Sequence, residues 1–181
     1  MTSTTPTTTP TSVDLPERKR NPFFRGPAGG RVLSAMMLPL FWLRPPAGFG
    51  VLTTTGRRTG KQRHKCIHVI RDGQRAFVVM IRPTPAAIAS KRIAAWVLNT
   101  RANPDVRLRI AEGAFSGRAR ELSDPGEREA AVETYCRAVN PFDYVECVFH
   151  RGGLPSRAKI ADLHRSWFEH GVALVIELED V

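Results

Sequence analysis

Eleven residues, Thr53-Thr54-Thr55-Gly56-Arg57-Arg58-Thr59-Gly60-Lys61-Gln62-Arg63, hold the densest chemistry in the chain. Glycine lets the backbone turn with positive φ, so successive N–H groups can face one concavity. Arginines beside such a turn offer forked donors that match phosphate or carboxylate. The segment reads as an anion-binding loop, with Arg57, Arg58, Thr59, Gly60 and Arg63 as its working residues.

Other reactive residue types are scattered. His64, His68, His150, His164 and His170 show no triad order, so nucleophilic hydrolysis is not indicated. Cys66, Cys136 and Cys147 form no CxxC pair. An odd count argues against a disulfide framework and suits a reducing compartment. Cys147 and His150 stand three apart without a second ligand pair, and a closed metal site needs about four ligands, so no metal is expected. Tyr144 is the candidate proton donor, although an ordinary phenol more often only hydrogen-bonds.

The loop needs elements to hold it. Phe49 to Thr55 reads as a strand leading in. Strands over Lys65 to Arg71 and Gln74 to Arg82 flank Asp72-Gly73, a type I′ hairpin signal. The run Val78 to Ile81 suggests a strand buried on both faces. Ser90 is expected to cap a helix reaching about Asn99, with Trp96 on its inner face. Val106, Leu108 and Ile110 alternate with Arg107 and Arg109, a half-buried strand. Ala114 to Leu122 follows as another. Asp124-Pro125 with Glu127 starts a helix. Asn140 to Pro155 reads as irregular. Ser156 caps a helix to His170 with Ile160, Leu163 and Trp167 on one stripe, and Val172 to Leu178 is a last strand. Six strands in hairpins with inserted helices indicate a small closed antiparallel barrel.

The 181 residues carry a formal charge of +10, which favours polyanionic partners. Residues 1–21 form a Thr/Pro-rich tail read as disordered, and 22–181 form one domain. Gly30 to Leu43 reads as an apolar helix that Pro39 kinks or ends. At fewer than about 20 residues it is too short to span a bilayer. Its two readings are a cover over an apolar cleft and a peripheral contact with an anionic membrane face. Nucleic acid is disfavoured, because the strand arginines Arg107, Arg109, Arg118 and Arg120 have only Phe115 among them for base stacking.

Thr54-Thr55-Gly56-Arg57-Arg58-Thr59-Gly60, Arg63, Arg71-Asp72-Gly73, Trp96-Val97-Leu98-Asn99 and Ala102-Asn103-Pro104, in that order, resemble the deazaflavin-dependent nitroreductase family. The similarity is strongest from Phe49 to Leu122. It implies a split β-barrel of the FMN/F420-binding kind and coenzyme F420, a deazaflavin with a phosphate and an oligoglutamate tail. It places the tail on Arg57, Arg58 and Arg63, with Arg82 beyond, and Trp96 and Asn99 beside the ring. It gives Tyr135, Phe142 and Tyr144 to the acceptor side. The implied activity is hydride transfer from reduced F420 to a lipophilic quinone, enone or nitroaromatic, in the cytoplasm or at the inner face of the cell membrane. The alternatives are a non-catalytic F420- or lipid-binding protein and an FMN flavoprotein. This chain departs from the family's pattern at Cys66-Ile67, at Ile81 and at the added stretch from Pro83 to Ile88.

Overall fold

The computed structural model describes residues 36–82 and 85–179. The expected disorder of residues 1–21 and the first part of the N-terminal helix lie outside the described residues. The chain is helical over 36–43 (α1). It continues through β1 (Phe49–Thr55), β2 (Gln62–Asp72), β3 (Arg75–Met80), α2 (Pro85–Ala89), α3 (Ala95–Ala102), β4 (Asp105–Ile110), β5 (Gly113–Glu121), α4 (Pro125–Arg137), α5 (Pro141–Arg151), α6 (Arg157–His170) and β6 (Val172–Leu178). The six strands close a barrel in the order β1-β2-β3-β6-β5-β4, and every neighbouring pair is antiparallel. This is the expected split β-barrel.

Strand periodicity divides the apolar residues between two cores. Ile67, Val69, Ala76, Val78, Met80, Leu108, Leu174 and Ile176 fill the barrel. Ile70, Phe77, Val79, Ala173 and Val175 point out of it, against Tyr135, Ile160, Leu163, Trp167 and Phe168 of α4 and α6. β3 therefore has no polar face, which explains its unbroken apolar run. Each such side chain contributes roughly 1.5–3 kcal/mol on burial. Val97 of α3 belongs to the interior core, and Ile93, Ala94 and Trp96 pack partly against it.

Three local expectations are corrected. The β2–β3 loop is Gly73-Gln74, because Asp72 already pairs with Arg75. Positive φ falls on Gly73 alone, the pattern of a II′ turn with glycine first rather than I′. Ser90 does not open α3: its hydroxyl donates to the Ala87 carbonyl at 2.9 Å at the end of α2, and α3 starts at Ala95 without a side-chain cap. Residues 141–151 are helical, not irregular. Asn140 accepts from the Phe142 N–H at 2.9 Å, and the Asp143 carboxylate accepts from the Asn140 N–H at 2.7 Å, a reciprocal cap that starts α5. The expected starts of α4 at Asp124 and α6 at Ser156 are both present, each with its side chain accepting a first-turn N–H.

Candidate cofactor site

The β1–β2 hairpin carries the basic loop at its tip. Thr55 pairs with Gln62, so Gly56 to Lys61 form the turn and Arg63 stands on β2 opposite Thr54. The Gly56 N–H donates to the Lys61 carbonyl at 2.9 Å, and the Gly60 N–H donates to the Gly56 carbonyl at 2.8 Å. Gly60 has φ +66°. A Cβ on Gly56 would lie 3.0 Å from the Lys61 carbonyl oxygen and 3.1 Å from Thr59 Oγ1, so glycine lets the turn close on its own backbone.

Arg57, Arg58, Lys61 and Arg63 are all exposed, and among the described residues none of them is in an ion pair. Two other arginines contrast with them. Arg120 on β5 holds Glu127 at 2.6 Å and Glu177 at 2.9 Å, and Arg101 on α3 holds Glu121 at 2.5 Å. Those two charges are neutralised in pairs, whereas the four of the loop are left open. Such a donor set fits a phosphate followed by carboxylates.

Asn99 joins the loop to the barrel. Its Oδ1 accepts from the Arg57 N–H and from Arg57 Nη1, both at 3.3 Å, and its Nδ2 donates to Thr54 Oγ1 at 3.2 Å. Asn99 and Thr54 are buried. The asparagine is spent on the loop and not on capping its own helix. Beside the hairpin a polar cleft of about 270 Å³ is lined by Thr53, Thr54, Thr55, Gln62 and Arg107 among others.

The remaining candidates are distributed differently. Arg82 Nη1 donates to the His170 carbonyl at 3.0 Å, and its buried Nε has no partner. Trp96 is half-buried on α3 beside the interior core. Phe142 and Tyr144 lie on α5, both partly exposed, and Phe142 packs on Phe49 of β1. Tyr135 is separate from them. It is fully buried in the helical core, with its hydroxyl beside His68 and its ring against Phe168.

A second, apolar cleft of about 480 Å³ lies between α1 and β2, lined by Leu38, Pro39, Trp42 and His64. The Trp42 and His64 rings meet edge to face at 5.0 Å. Phe41 and Phe142 both pack on Phe49, which brings α1 and α5 to the same side of the barrel.

The histidines are not all scattered. His68 of β2 and His164 of α6 meet at Asp143 of α5, 75 residues from the first and 21 from the second. Their separation hid them. The signal available was position: His68 shares the outward face of β2 with Ile70, and His164 follows Leu163 on the buried side of α6.

Among solved structures, the chain is similar to an F420-H2 dependent reductase (20% identity over 72% of this chain and 95% of the other, TM-score 0.45). It is similar to an FAD-binding protein from Mesorhizobium loti (13% identity, 81% and 89%, TM-score 0.45) and to a chain described as a domain-swapped dimer (19% identity, 72% and 81%, TM-score 0.47). The sequence pattern of the F420H(2)-dependent quinone reductases matches residues 44–148, more than half of the chain and the part that contains the basic loop, Asn99 and the start of α5. The chain belongs to the F420H(2)-dependent quinone reductase family, as a reductase whose cofactor is coenzyme F420.

Proposed function

We propose that the protein reduces a lipophilic quinone, with the acidic tail of F420 held at the β1–β2 loop and the acceptor arriving between α1 and α5. The carrying observation is the group of uncompensated cations Arg57, Arg58, Lys61 and Arg63 on a glycine-bracketed turn that Asn99 fixes. When bound, reduced F420 supplies the hydride. The chain's own residues bind and orient. Arg57, Arg58 and Arg63 hold the phosphate and carboxylates; the N–H groups of Thr59 and Gly60 both donate to the Gly56 carbonyl and shape the turn that presents them. Trp96 and Asn99 limit where the ring lies. Phe142, Tyr144 and the α1 cleft shape the acceptor side, and the Tyr144 hydroxyl or water gives a proton to the reduced acceptor.

A binding titration with F420 and, separately, FMN, followed by oxidation of reduced F420 with a panel of quinones including menadione, tests this reading. Tight F420 binding and quinone-dependent oxidation are expected. Binding without turnover favours the non-catalytic alternative, and a yellow preparation that releases FMN favours a flavoprotein.

Asn99→Ala is expected to weaken F420 about tenfold, since removing one buried partner of several hydrogen bonds costs roughly 1–3 kcal/mol. Asn99 adds no charge, so the salt dependence of binding should keep its slope. A changed slope with unchanged affinity at low salt counts against a positioning role.

The exposed apolar residues suit a lipophilic acceptor. Met36, Leu40 and Leu43 follow helical spacing on α1 and are 74%, 62% and 80% exposed, while Phe41 on the opposite side is buried. Val145, Val148 and Phe149 form an exposed stripe on α5. On a chain with a formal net charge of +10, such stripes favour an anionic membrane surface. No described helix is long and apolar enough to cross a membrane. The full chain is expected to sediment with vesicles containing about one-third phosphatidylserine, and less so with neutral vesicles or in 0.5 M salt. Leu40→Asp with Phe149→Asp should abolish the sedimentation; equal binding by that variant contradicts the reading.

A further inference from the structure

The meeting point of His68, Asp143 and His164 has no role in the F420 reading. His164 and Asp143 are completely buried and the His68 side chain is 8% exposed. Both imidazoles turn Nε2 to the same carboxylate oxygen. Asp143 Oδ1 is 3.0 Å from His68 Nε2 and 3.3 Å from His164 Nε2, and one ligand atom from each residue lies within 4.8 Å of the others.

Proton accounting identifies what that point requires. His164 Nδ1 is 3.0 Å from the Tyr135 carbonyl, which only accepts, so Nδ1 carries a hydrogen. The Tyr135 hydroxyl reaches both the His68 carbonyl at 3.2 Å and His68 Nδ1 at 3.0 Å; when it donates to the carbonyl, His68 Nδ1 carries a hydrogen as well. Asn140 Nδ2, a donor, faces His68 Nε2 at 3.3 Å. In both neutral rings Nε2 is then bare, and two nitrogen lone pairs converge on a carboxylate oxygen. A cation bound at that point makes the arrangement favourable.

A second observation points the same way. Glu146, one turn beyond Asp143 on α5, has a buried carboxylate oxygen, Oε2, with no hydrogen-bond partner. Protonating both imidazoles instead leaves this oxygen orphaned. A dication balances both carboxylates and keeps both imidazoles neutral.

We propose that His68, Asp143 and His164 form a divalent-metal site of the zinc type, with Glu146 turning into the fourth position, which fastens the helical layer to the barrel wall. Zinc bonds of about 2.0–2.1 Å set tetrahedral ligand atoms roughly 3.3 Å apart; here the two Nε2 atoms stand 3.0 and 3.3 Å from Asp143 Oδ1, and all three atoms lie within 4.8 Å of one another. Each histidine already has its outer nitrogen fixed by an oxygen of Tyr135, as metal-ligating imidazoles require. One residue comes from the barrel and three from two different helices, so a bound ion cross-links elements that otherwise meet through side-chain packing and a few hydrogen bonds around Tyr135. His164 lies beyond the family-matched residues, which places the site at the junction of the shared barrel and this chain's own last helix.

The test uses the full chain. Protein stripped with a chelator is titrated with Zn²⁺ while metal content and thermal unfolding are followed. One equivalent per chain and a rise of several degrees in Tm that saturates at that equivalent are expected. His164→Gln should bind zinc at least tenfold more weakly. X-ray absorption at the zinc edge of the wild type needs no variant to fold and should show only nitrogen and oxygen near 2.0–2.1 Å, with imidazole scattering. No zinc-dependent change in Tm, a sulfur shell near 2.3 Å, or undiminished affinity in His164→Gln overturns the proposal.

Discussion

Replacing Arg57 and Arg58 together by alanine is expected to weaken F420 binding by about two orders of magnitude, with the fold intact. Both side chains are exposed at a hairpin tip, so their loss uncovers no core. Hydrogen bonds to charged groups contribute about 1.5–3 kcal/mol each when well formed, and water around this loop reduces that. Roughly 2–3 kcal/mol for the pair then corresponds to about 100-fold in Kd. Salt separates this effect from a steric one. The Debye length shrinks from about 10 Å at 0.1 M to 3 Å at 1 M, so wild-type binding should fall with salt and the double variant's should fall less. Arg57→Lys with Arg58→Lys should recover the salt dependence but only part of the affinity, because lysine keeps the charge and loses the fork. Fluorescence titration of F420 at three salt concentrations decides it. Wild-type affinity in the alanine variant means that the tail lies elsewhere.

The loop was legible in sequence because its chemistry is local. Glycine, arginine and lysine within eleven residues need only one hairpin to act together, and the strand periodicity for that hairpin is strong. The barrel was legible for a related reason: β4 alternates as a half-buried strand should, and β3 is apolar throughout because helices cover its outer face. α5 was missed although Asn140-Pro141-Phe142-Asp143 repeats the pattern of Asp124-Pro125-Gly126-Glu127, which was read correctly at α4. Its apolar Val145, Val148 and Phe149 face outward while Asp143 is buried, so the usual rule of apolar inside and polar outside pointed the wrong way. Ser90 misled because serine ends a helix as readily as it starts one, and Lys91, with φ +49°, turns the chain away before α3. The cluster at Asp143 depends on the closure of β2 against α5 and α6. No spacing within one segment encodes that.

Gly171→Ala is expected to lower Tm by about 10 °C, a far larger effect than its size suggests. Gly171 joins α6 to β6 where the helical layer reaches the barrel. A Cβ there would stand 2.4 Å from the Trp167 carbonyl oxygen, 2.6 Å from the Met80 carbonyl oxygen and 2.9 Å from Val79 Cγ1. Two of these are backbone atoms, and neither can rotate aside. The Trp167 carbonyl accepts from the Gly171 N–H at 2.8 Å, and Met80 pairs with Val172 in the sheet. Relief requires α6 to move away from β3, which strips Trp167 and Phe168 from Val79 and Phe77 in the second core. Core rearrangements of this kind cost about 3 kcal/mol or more, and 1 kcal/mol shifts Tm by roughly 2–4 °C in a protein of this size. Gly60→Ala is the contrasting case. Its φ of +66° makes alanine strained, but nothing lies within 4 Å, so about 1 kcal/mol and a local change in the loop are expected. Scanning calorimetry on the two variants separates a backbone collision from a backbone conformation. A Gly171→Ala protein melting within 2 °C of wild type shows that the last turn of α6 yields without disturbing the barrel, and the packing argument for that junction then fails.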